Sequence, residues 1–182
     1  VIDYKTGGKK FDLSEVVQGL NMQMLLYLFT LGENGVADLP SPGEAGVLYM
    51  PGSGHFTRDR RDASAESIAE DQRKSYCMSG MVLDNPEVIE AMELGTAGRY
   101  IPVSLKKDGS YTAASSVITE EQLGLLRRQI AGNVVRMAEL LHEGKIGAVP
   151  ANRNGRLPCE YCDYRSVCGR EAEWPDRPVV KL

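Results

Sequence analysis

The sequence lacks any long uninterrupted run of apolar side chains, and this absence argues against a membrane-spanning helix. The longest apolar stretch, from Met24 to Leu31, contains a threonine and is far shorter than the roughly 20 residues that a span requires. The first residues do not form a basic segment followed by an apolar run, so no secretion signal is recognisable. An initiator methionine is missing too, and we therefore expect a piece of a longer, cytoplasmic polypeptide.

The sequence also has no excess of basic residues. Its 21 lysines and arginines are outnumbered by 25 acidic residues, for a net charge of −4, which by itself argues against nucleic-acid binding. Binding requires only a local basic patch, however, and the basic residues do cluster. The clusters are Lys5 with Lys9 and Lys10, Arg58 with Arg60 and Arg61, and Arg127 with Arg128. Net charge therefore leaves nucleic-acid binding open.

Internal repeats and low-complexity segments are absent as well, and the composition is that of an ordinary globular protein. With 182 residues, the chain is long enough for one domain with a sizeable core. We expect a core part over residues 1–150 and a loop-like, cysteine-bearing tail over residues 151–182.

Several helices and strands are predicted in the core part. Residues 1–5 form a predicted buried strand that is stopped by glycines and followed by a polar loop, and AGVLYMP (residues 45–51) predicts another strand. Asp108-Gly109 predicts the turn of a hairpin. Helices are predicted over residues 19–31 and 65–74, after the N-cap Asn85, and after Thr119, the last with an apolar stripe of Leu123, Leu126, Ile130, Val134, Met137 and Leu141.

Asp3 and Lys5 are the first candidate functional residues. Side chains alternate along a strand, so these two point to the same face, about 7 Å apart. A carboxylate that binds Mg²⁺ or Mn²⁺ and a lysine that orients the attacking water suit metal-assisted phosphodiester hydrolysis. An acid-x-Lys pattern arises about once by chance in such a chain, and Glu143-Gly144-Lys145 is a second match. A surface ion pair at a strand end is therefore the alternative interpretation.

Gln23 and Tyr27 are the next candidates. They are four residues apart on a predicted helix and share one face, with Thr30 a further turn along. An amide and a phenol buried on a helix of leucine and methionine cost free energy unless both find partners. Hydrogen bonds to the neighbouring backbone are the purely structural explanation, and a place beside Asp3 and Lys5 is the functional one.

The strand VIDYKTG, a short loop and the helix GLNMQMLLYL together resemble the RecB-like branch of the PD-(D/E)XK nucleases. The resemblance implies an α/β fold, a mixed sheet flanked by helices, here incomplete at its N-terminal side. It implies Asp3 and the backbone carbonyl of Tyr4 as metal ligands and Lys5 as the catalytic lysine. It further implies that Gln23 and Tyr27 lie beside the site and help to place the lysine and the DNA strand.

Three of the four cysteines, Cys159, Cys162 and Cys168, form a C-x2-C-x5-C arrangement. With no secretion signal, this spacing indicates metal or cluster binding before it indicates disulfides. Three thiolates are one short of a structural zinc site or of the four that usually hold an iron–sulfur cluster. The fourth ligand is either Cys77 or a residue outside this chain, and a buried unligated cysteine is the commoner state in surroundings like those of Cys77.

The tail GRLPCEYCDYRSVCG resembles the end of the nuclease domain in the AddB family of helicase–nuclease subunits, and AGVLYMP, KSYCMSGMVLDNPEVI and SSVITEEQLGLLRRQI resemble it in order and spacing. The resemblance covers essentially the whole chain. It implies a [4Fe–4S] cluster held by the three tail cysteines and one cysteine far upstream. It also implies an upstream acidic residue and histidine in the nuclease site, so we expect this chain alone to bind Mg²⁺ weakly and to cleave DNA poorly.

In an intact assembly, the resemblance implies ATP-driven unwinding of broken DNA ends with an AddA-like helicase–nuclease partner, and degradation of one strand by a metal-dependent exonuclease. The implied role is double-strand-break repair through homologous recombination. Two alternatives remain. One is another RecB-like nuclease with an iron–sulfur tail, such as the CRISPR-associated adaptation exonucleases, which are short, free-standing proteins. The other is a catalytically dead nuclease fold that serves as a DNA-binding or subunit-docking module.

Overall fold

The computed structural model describes residues 11–36, 38, 40, 42–52, 63–145, 147–152, 157–168 and 180–181. The elements in these ranges follow a fixed order along the chain. They are α1 (Leu13–Val17), α2 (Gln23–Asn34), β1 (Gly46–Tyr49), α3 (Ala65–Ser75), β2 (Ser79–Leu83), α4 (Pro86–Met92), β3 (Val117–Ile118), α5 (Glu120–His142), β4 (Ala151–Asn152), a 3-10 turn (Pro158–Tyr161), α6 (Arg165–Cys168) and β5 (Val180–Lys181).

The main sheet of the described chain has three strands in the order β1-β2-β3. Strands β1 and β2 are antiparallel, with Gly46 opposite Val82 and Tyr49 opposite Ser79, whereas β2 and β3 run parallel. The sheet is therefore mixed, as we expected. The two-residue strands β4 and β5 pair in parallel as a separate, smaller sheet.

Two glycines allow β1 and β2 to approach each other. Gly80 has a φ of +154° and Gly46 a φ of +143°, which are conformations that L side chains rarely adopt. A Cβ on Gly80 would collide with the backbone oxygen of Val47, and a Cβ on Gly46 would collide with that of Met81. Glycine is therefore required at both positions for this pairing.

The side chains of β2 divide between two hydrophobic cores, because successive residues of a strand point to opposite faces of a sheet. Met81 and Leu83 belong to the larger core and Val82 to the smaller one. The larger core also contains Val16, Met22, Leu25, Phe29, Val47, Ile118, Leu123, Leu126 and Ile130, and the smaller one contains Ile89, Ile101 and Val103. Helices thus cover the sheet on both faces, which confirms the predicted α/β fold.

Helix α5 begins at a capping box and buries only its first half. The Thr119 hydroxyl accepts a hydrogen bond of 3.2 Å from the Gln122 backbone N–H, and the Gln122 side chain accepts one of 3.0 Å in return. The predicted apolar stripe is buried as far as Ile130, but Leu141 near its end is 74% exposed. None of the helices in the described ranges is both long and apolar enough to cross a membrane.

Helix α1 lies in a stretch that we predicted as a polar loop. The Asp12 carboxylate caps it by accepting a hydrogen bond of 3.0 Å from the Ser14 backbone N–H. Helix α2 begins at Gln23, four residues later than predicted, because Gly19 and Asn21 have φ values of +87° and +54° that no helix accommodates. The sequence therefore contained a capping signal that the prediction overlooked.

The centre of the sheet was also missing from the sequence prediction. Strand β2, which pairs with both of its neighbours, had no predicted counterpart. The turn at Asp108-Gly109 is present, since the Lys106 N–H donates a hydrogen bond of 2.7 Å to the Ser110 carbonyl. Its two arms form only an isolated antiparallel bridge, between Leu105 and Tyr111, rather than a full hairpin.

Candidate functional site

The candidate site residues fall into three groups. Asp3, Tyr4 and Lys5, the predicted metal-binding and catalytic residues, lie outside the described residues. Gln23 and Tyr27 lie on α2. Cys159, Cys162 and Cys168 lie on the short helical turns of the tail, from Pro158 to Cys168.

Gln23 and Tyr27 contact each other on one face of α2. The Gln23 side-chain amide donates a hydrogen bond of 2.8 Å to the Tyr27 hydroxyl. Tyr27 is 39% exposed and Gln23 is exposed as well, so the expectation that both are buried was wrong. The buried face of the helix is formed by Leu25 and Phe29 instead. The amide–phenol pair is therefore accessible at the surface.

A cavity of about 220 Å³ lies between α2 and β1, beside Tyr27. Apart from Tyr27, it is lined by Met24, Leu28, Leu31, Gly46, Val47 and Leu48. The wall is thus apolar, with the tyrosine hydroxyl as a polar group at its margin. A concave apolar surface with few polar groups is the usual form of a ligand site.

Arg127, half of the basic pair with Arg128, does not contribute to an open basic patch. Its guanidinium donates a hydrogen bond to the carboxylate of Glu44 and lies 3.8 Å from that of Glu33. These two acidic groups offset its charge. Sequence analysis missed this cluster because Glu44 and Arg127 are 83 positions apart and neither belongs to a motif.

The tail cysteines lie on turns that are stabilised by backbone hydrogen bonds. The Cys162 N–H donates to the Cys159 carbonyl at 3.3 Å, and the Cys168 N–H donates to the Tyr164 carbonyl at 2.8 Å. Cys162 is exposed, whereas Cys159 and Cys168 are partly buried, and none of the three forms a disulfide within the described part of the chain. In the described ranges, no three histidine, cysteine or acidic side chains gather closely enough to hold a metal ion.

Cys77 has a different environment from the tail cysteines. Its Sγ lies 3.6–3.8 Å from the backbone oxygens of Met78, Gly98 and Ile101. Burial raises the pKa of the Cys77 thiol, and the nearby negative charge of Glu93 raises it further. A thiol that is surrounded by carbonyl oxygens and held in its protonated form is a poor metal ligand, because metals bind the thiolate.

Glu93 is a buried carboxylate that sequence analysis did not identify. It is 6% exposed and accepts hydrogen bonds of 2.8–3.0 Å from the backbone N–H groups of Arg99, Tyr100 and Ile101. Burial acts to raise the pKa of Glu93, but these backbone donors outweigh it and the pKa lies below its usual value. Glu93 therefore closes the loop after α4 and has no exposed site of its own.

Comparison with known proteins extends these observations to the whole chain. The model of the PD-(D/E)XK nuclease superfamily matches residues 1–169, which include Asp3, Lys5, Gln23, Tyr27 and the tail cysteines. The chain also resembles proteins that are named as a subunit of an ATP-dependent helicase/deoxyribonuclease. It is 35% identical to the one from Clostridium perfringens over 97% of this chain, 36% identical to the one from Clostridium acetobutylicum over 92%, and 31% identical to the one from Caldanaerobacter subterraneus over 96%.

The extent of the family match decides the classification. The chain spans only 15–16% of the length of these relatives, so their names describe much larger proteins. The superfamily model, in contrast, covers most of this chain, and the mixed sheet with helices on both faces agrees with it. The chain belongs to the PD-(D/E)XK nuclease superfamily.

Proposed function

We propose that this chain is the nuclease part of an AddB-like subunit and that it hydrolyses phosphodiester bonds of DNA as a metal-dependent exonuclease. The observation that carries the proposal is the superfamily match over residues 1–169. The names of the relatives, which combine helicase and deoxyribonuclease, support DNA as the substrate. In this proposal, residues 1–150 are the core part and residues 151–182 the tail.

The roles of Asp3, Tyr4 and Lys5 follow from their chemistry. A carboxylate and a backbone carbonyl provide oxygen ligands, which fit Mg²⁺ or Mn²⁺, and the bound cation would polarise the phosphate and lower the pKa of a water molecule. The Lys5 ammonium orients the attacking water and offsets the negative charge that develops on the phosphate oxygens. Water then displaces the leaving oxygen directly, without a covalent intermediate on the protein.

Gln23 and Tyr27 position the DNA strand in this proposal. Because the Tyr27 oxygen accepts a hydrogen bond from Gln23, its own proton can be donated to a phosphate oxygen. The apolar cavity beside Tyr27 offers a surface for the non-polar parts of a nucleotide. The exposure of the pair supports this role, since a side chain must be accessible to contact DNA.

The cysteine tail is proposed to hold a [4Fe–4S] cluster. Cys159, Cys162 and Cys168 match the cluster in donor type but are one thiolate short of the usual four, and they are not gathered around one point in the described structure. The surroundings of Cys77 disfavour it as the fourth ligand. The residues thus fit the cluster only in part, and we assign it no step in the reaction.

The proposed assembly contains an AddA-like helicase–nuclease partner and acts in the cytoplasm, in the ATP-dependent processing of double-strand breaks for homologous recombination. The words "helicase" and "subunit" in the names of the relatives support a multisubunit complex. The partner and the biological role follow from the family resemblance.

Cleavage of a fluorescent single-stranded oligonucleotide with Mg²⁺, by the full-length gene product together with its partner, tests the proposal. Asp3→Ala or Lys5→Ala should lower the rate at least a hundredfold, and chelation of Mg²⁺ should abolish it. Glu143→Ala and Lys145→Ala are matched controls, because these residues form the second acid-x-Lys pair, 2.6 Å apart at the end of α5. Equal losses in both sets, or full activity of Asp3→Ala, would contradict the proposal.

A further inference from the structure

Arg127 of α5 joins three separate parts of the fold. Its Nη2 donates a hydrogen bond to Glu44 Oε1, in the segment before β1, and its Nη1 lies 3.8 Å from Glu33 Oε1, in the last turn of α2. Its guanidinium carbon lies 5.1 Å from the centre of the Phe29 ring, which is within cation–π range. One side chain of α5 thus contacts both α2 and the segment that leads into β1.

The surroundings of Arg127 favour arginine over other basic residues. The Glu44 side chain is 14% exposed and Phe29 is buried. Arg127 Nε is shielded from solvent and has no hydrogen-bond partner among the described residues. A planar guanidinium can contact two carboxylates and an aromatic face at once, whereas the ammonium of lysine is a compact charge without that fork geometry.

Gly32 makes room for this cluster on α2. A Cβ at position 32 would collide with Glu44 Oε1 and would lie 3.1 Å from both Cγ and Cδ of Glu44. The Glu44 carboxylate therefore rests directly against the backbone of the helix. Glycine is a poor helix former, and this close approach is a physical reason for its presence in the middle of α2.

We propose that Arg127 is a positioning residue: through Phe29, Glu33 and Glu44 it holds α2 against the start of β1 and thereby sets the place of Tyr27. Tyr27 and β1 line the same cavity, so the relative position of the two elements determines its shape. Glu33 is six residues after Tyr27, which corresponds to about 9 Å along a helix. A helix is stiff over this length, so a displacement at its last turn reaches Tyr27.

A purely stabilising role of Arg127 would involve the same contacts, and Gly32→Ala separates the two roles. Alanine favours the helix more than glycine does, but its Cβ displaces the Glu44 carboxylate from α2. The variant should therefore keep its thermal midpoint while it disturbs the position of Tyr27. The catalytic consequence of this inference rests on the proposed function, whereas its geometric part does not.

The experiment places a single fluorotyrosine at position 27 and records its ¹⁹F resonance in the wild-type chain and in Arg127→Met, Gly32→Ala and Arg128→Met. Arg128, the next residue on α5, is exposed and serves as the matched control. We expect the resonance to shift or broaden in Arg127→Met and in Gly32→Ala and to stay in place in Arg128→Met. In the full-length gene product with its partner, kcat for DNA cleavage should fall about tenfold or more in the first two variants, because misplacement by about 1 Å can cost about a hundredfold in rate.

Each outcome decides the inference. An unchanged resonance in both Arg127→Met and Gly32→Ala overturns it, and so does a shifted resonance with an unchanged kcat. If Arg127→Met does not fold, Gly32→Ala decides alone. If the wild-type protein does not cleave DNA while the resonance still shifts, the proposed function fails and the geometric role of Arg127 stands.

Discussion

The Gln23 amide donates a hydrogen bond of 2.8 Å to the hydroxyl of Tyr27, one turn along the same helix. The bond lies at the protein surface, beside the cavity between α2 and β1. Surface pairs of this kind contribute little to folding, since water competes for the same groups. The pair is therefore better explained by what it can bind than by what it stabilises.

Tyr27→Phe should separate binding from stability. Removal of the hydroxyl should change the free energy of unfolding by less than about 0.5 kcal/mol, because the side chain is partly exposed. Loss of a hydrogen bond to a charged phosphate costs about 1.5–3 kcal/mol, so KM for DNA should rise about tenfold to a hundredfold. Tyr76→Phe, at the end of α3 and 49% exposed, is the control. Equal KM values for the two variants would exclude a DNA contact by the Tyr27 hydroxyl.

Glu93 makes the stability of the fold depend on acid. Its pKa is lowered in the folded state, so its contribution is fully present above the unfolded value of about 4.3 and is lost as pH falls through the lower folded pKa. Glu93→Gln should reduce the free energy of unfolding at pH 7 by about 1.5–3 kcal/mol, and the difference from wild type should shrink below about pH 4. Urea titrations at several pH values measure this, with Glu139→Gln on the exposed surface of α5 as the control. A difference that does not change with pH would contradict the assignment.

The cysteines should differ in reactivity according to their surroundings. In the reduced, metal-free chain at about pH 8, iodoacetamide should modify exposed Cys162 at least about tenfold faster than Cys77, because burial and Glu93 keep the Cys77 thiol protonated. Mass spectrometry of quenched samples gives the rates. Reconstitution with iron and sulfide should then protect Cys159, Cys162 and Cys168. Protection of Cys77 in the same experiment would make it the fourth ligand and would reverse our interpretation.

Gly80 and Gly132 should respond oppositely to alanine. Gly80→Ala introduces a Cβ that collides with the Val47 backbone oxygen at a positive φ, so we expect a loss of about 2 kcal/mol or more. Gly132 lies in α5 with no atom close to its would-be Cβ, and alanine there should stabilise the helix by up to about 1 kcal/mol. Denaturant midpoints report both changes. A neutral Gly80→Ala would mean that β1 and β2 can separate at no cost.

The two halves of the α5 stripe should also differ. Leu126→Ala removes a buried side chain and should cost about 2–5 kcal/mol, whereas Leu141→Ala, at a position that is 74% exposed, should cost less than about 0.5 kcal/mol. Thermal unfolding of the 182-residue chain measures both. A large effect of Leu141→Ala would show that a contact beyond the described core covers the end of the helix.

Helix starts were predictable where the signal is local. Thr119 and Gln122 cap α5 within a single turn, and the Asn85 side chain accepts hydrogen bonds from two backbone N–H groups at the start of α4. Such contacts join residues two or three positions apart, so the sequence displays both partners together. Asp12 belongs to the same class, and α1 was missed only because its capping signal was overlooked.

The sequence by itself determined the helix caps, the four-residue spacing of Gln23 and Tyr27, and the family pattern that joins them to Asp3, Lys5 and the tail cysteines. Only the tertiary structure decided which apolar residues are buried, that β2 is the central strand, and that Arg127 meets Glu44 from 83 positions away. The reason is physical. Caps and periodicity arise within one or two turns of chain, whereas burial and ion pairing depend on which distant segments the fold brings to the same place.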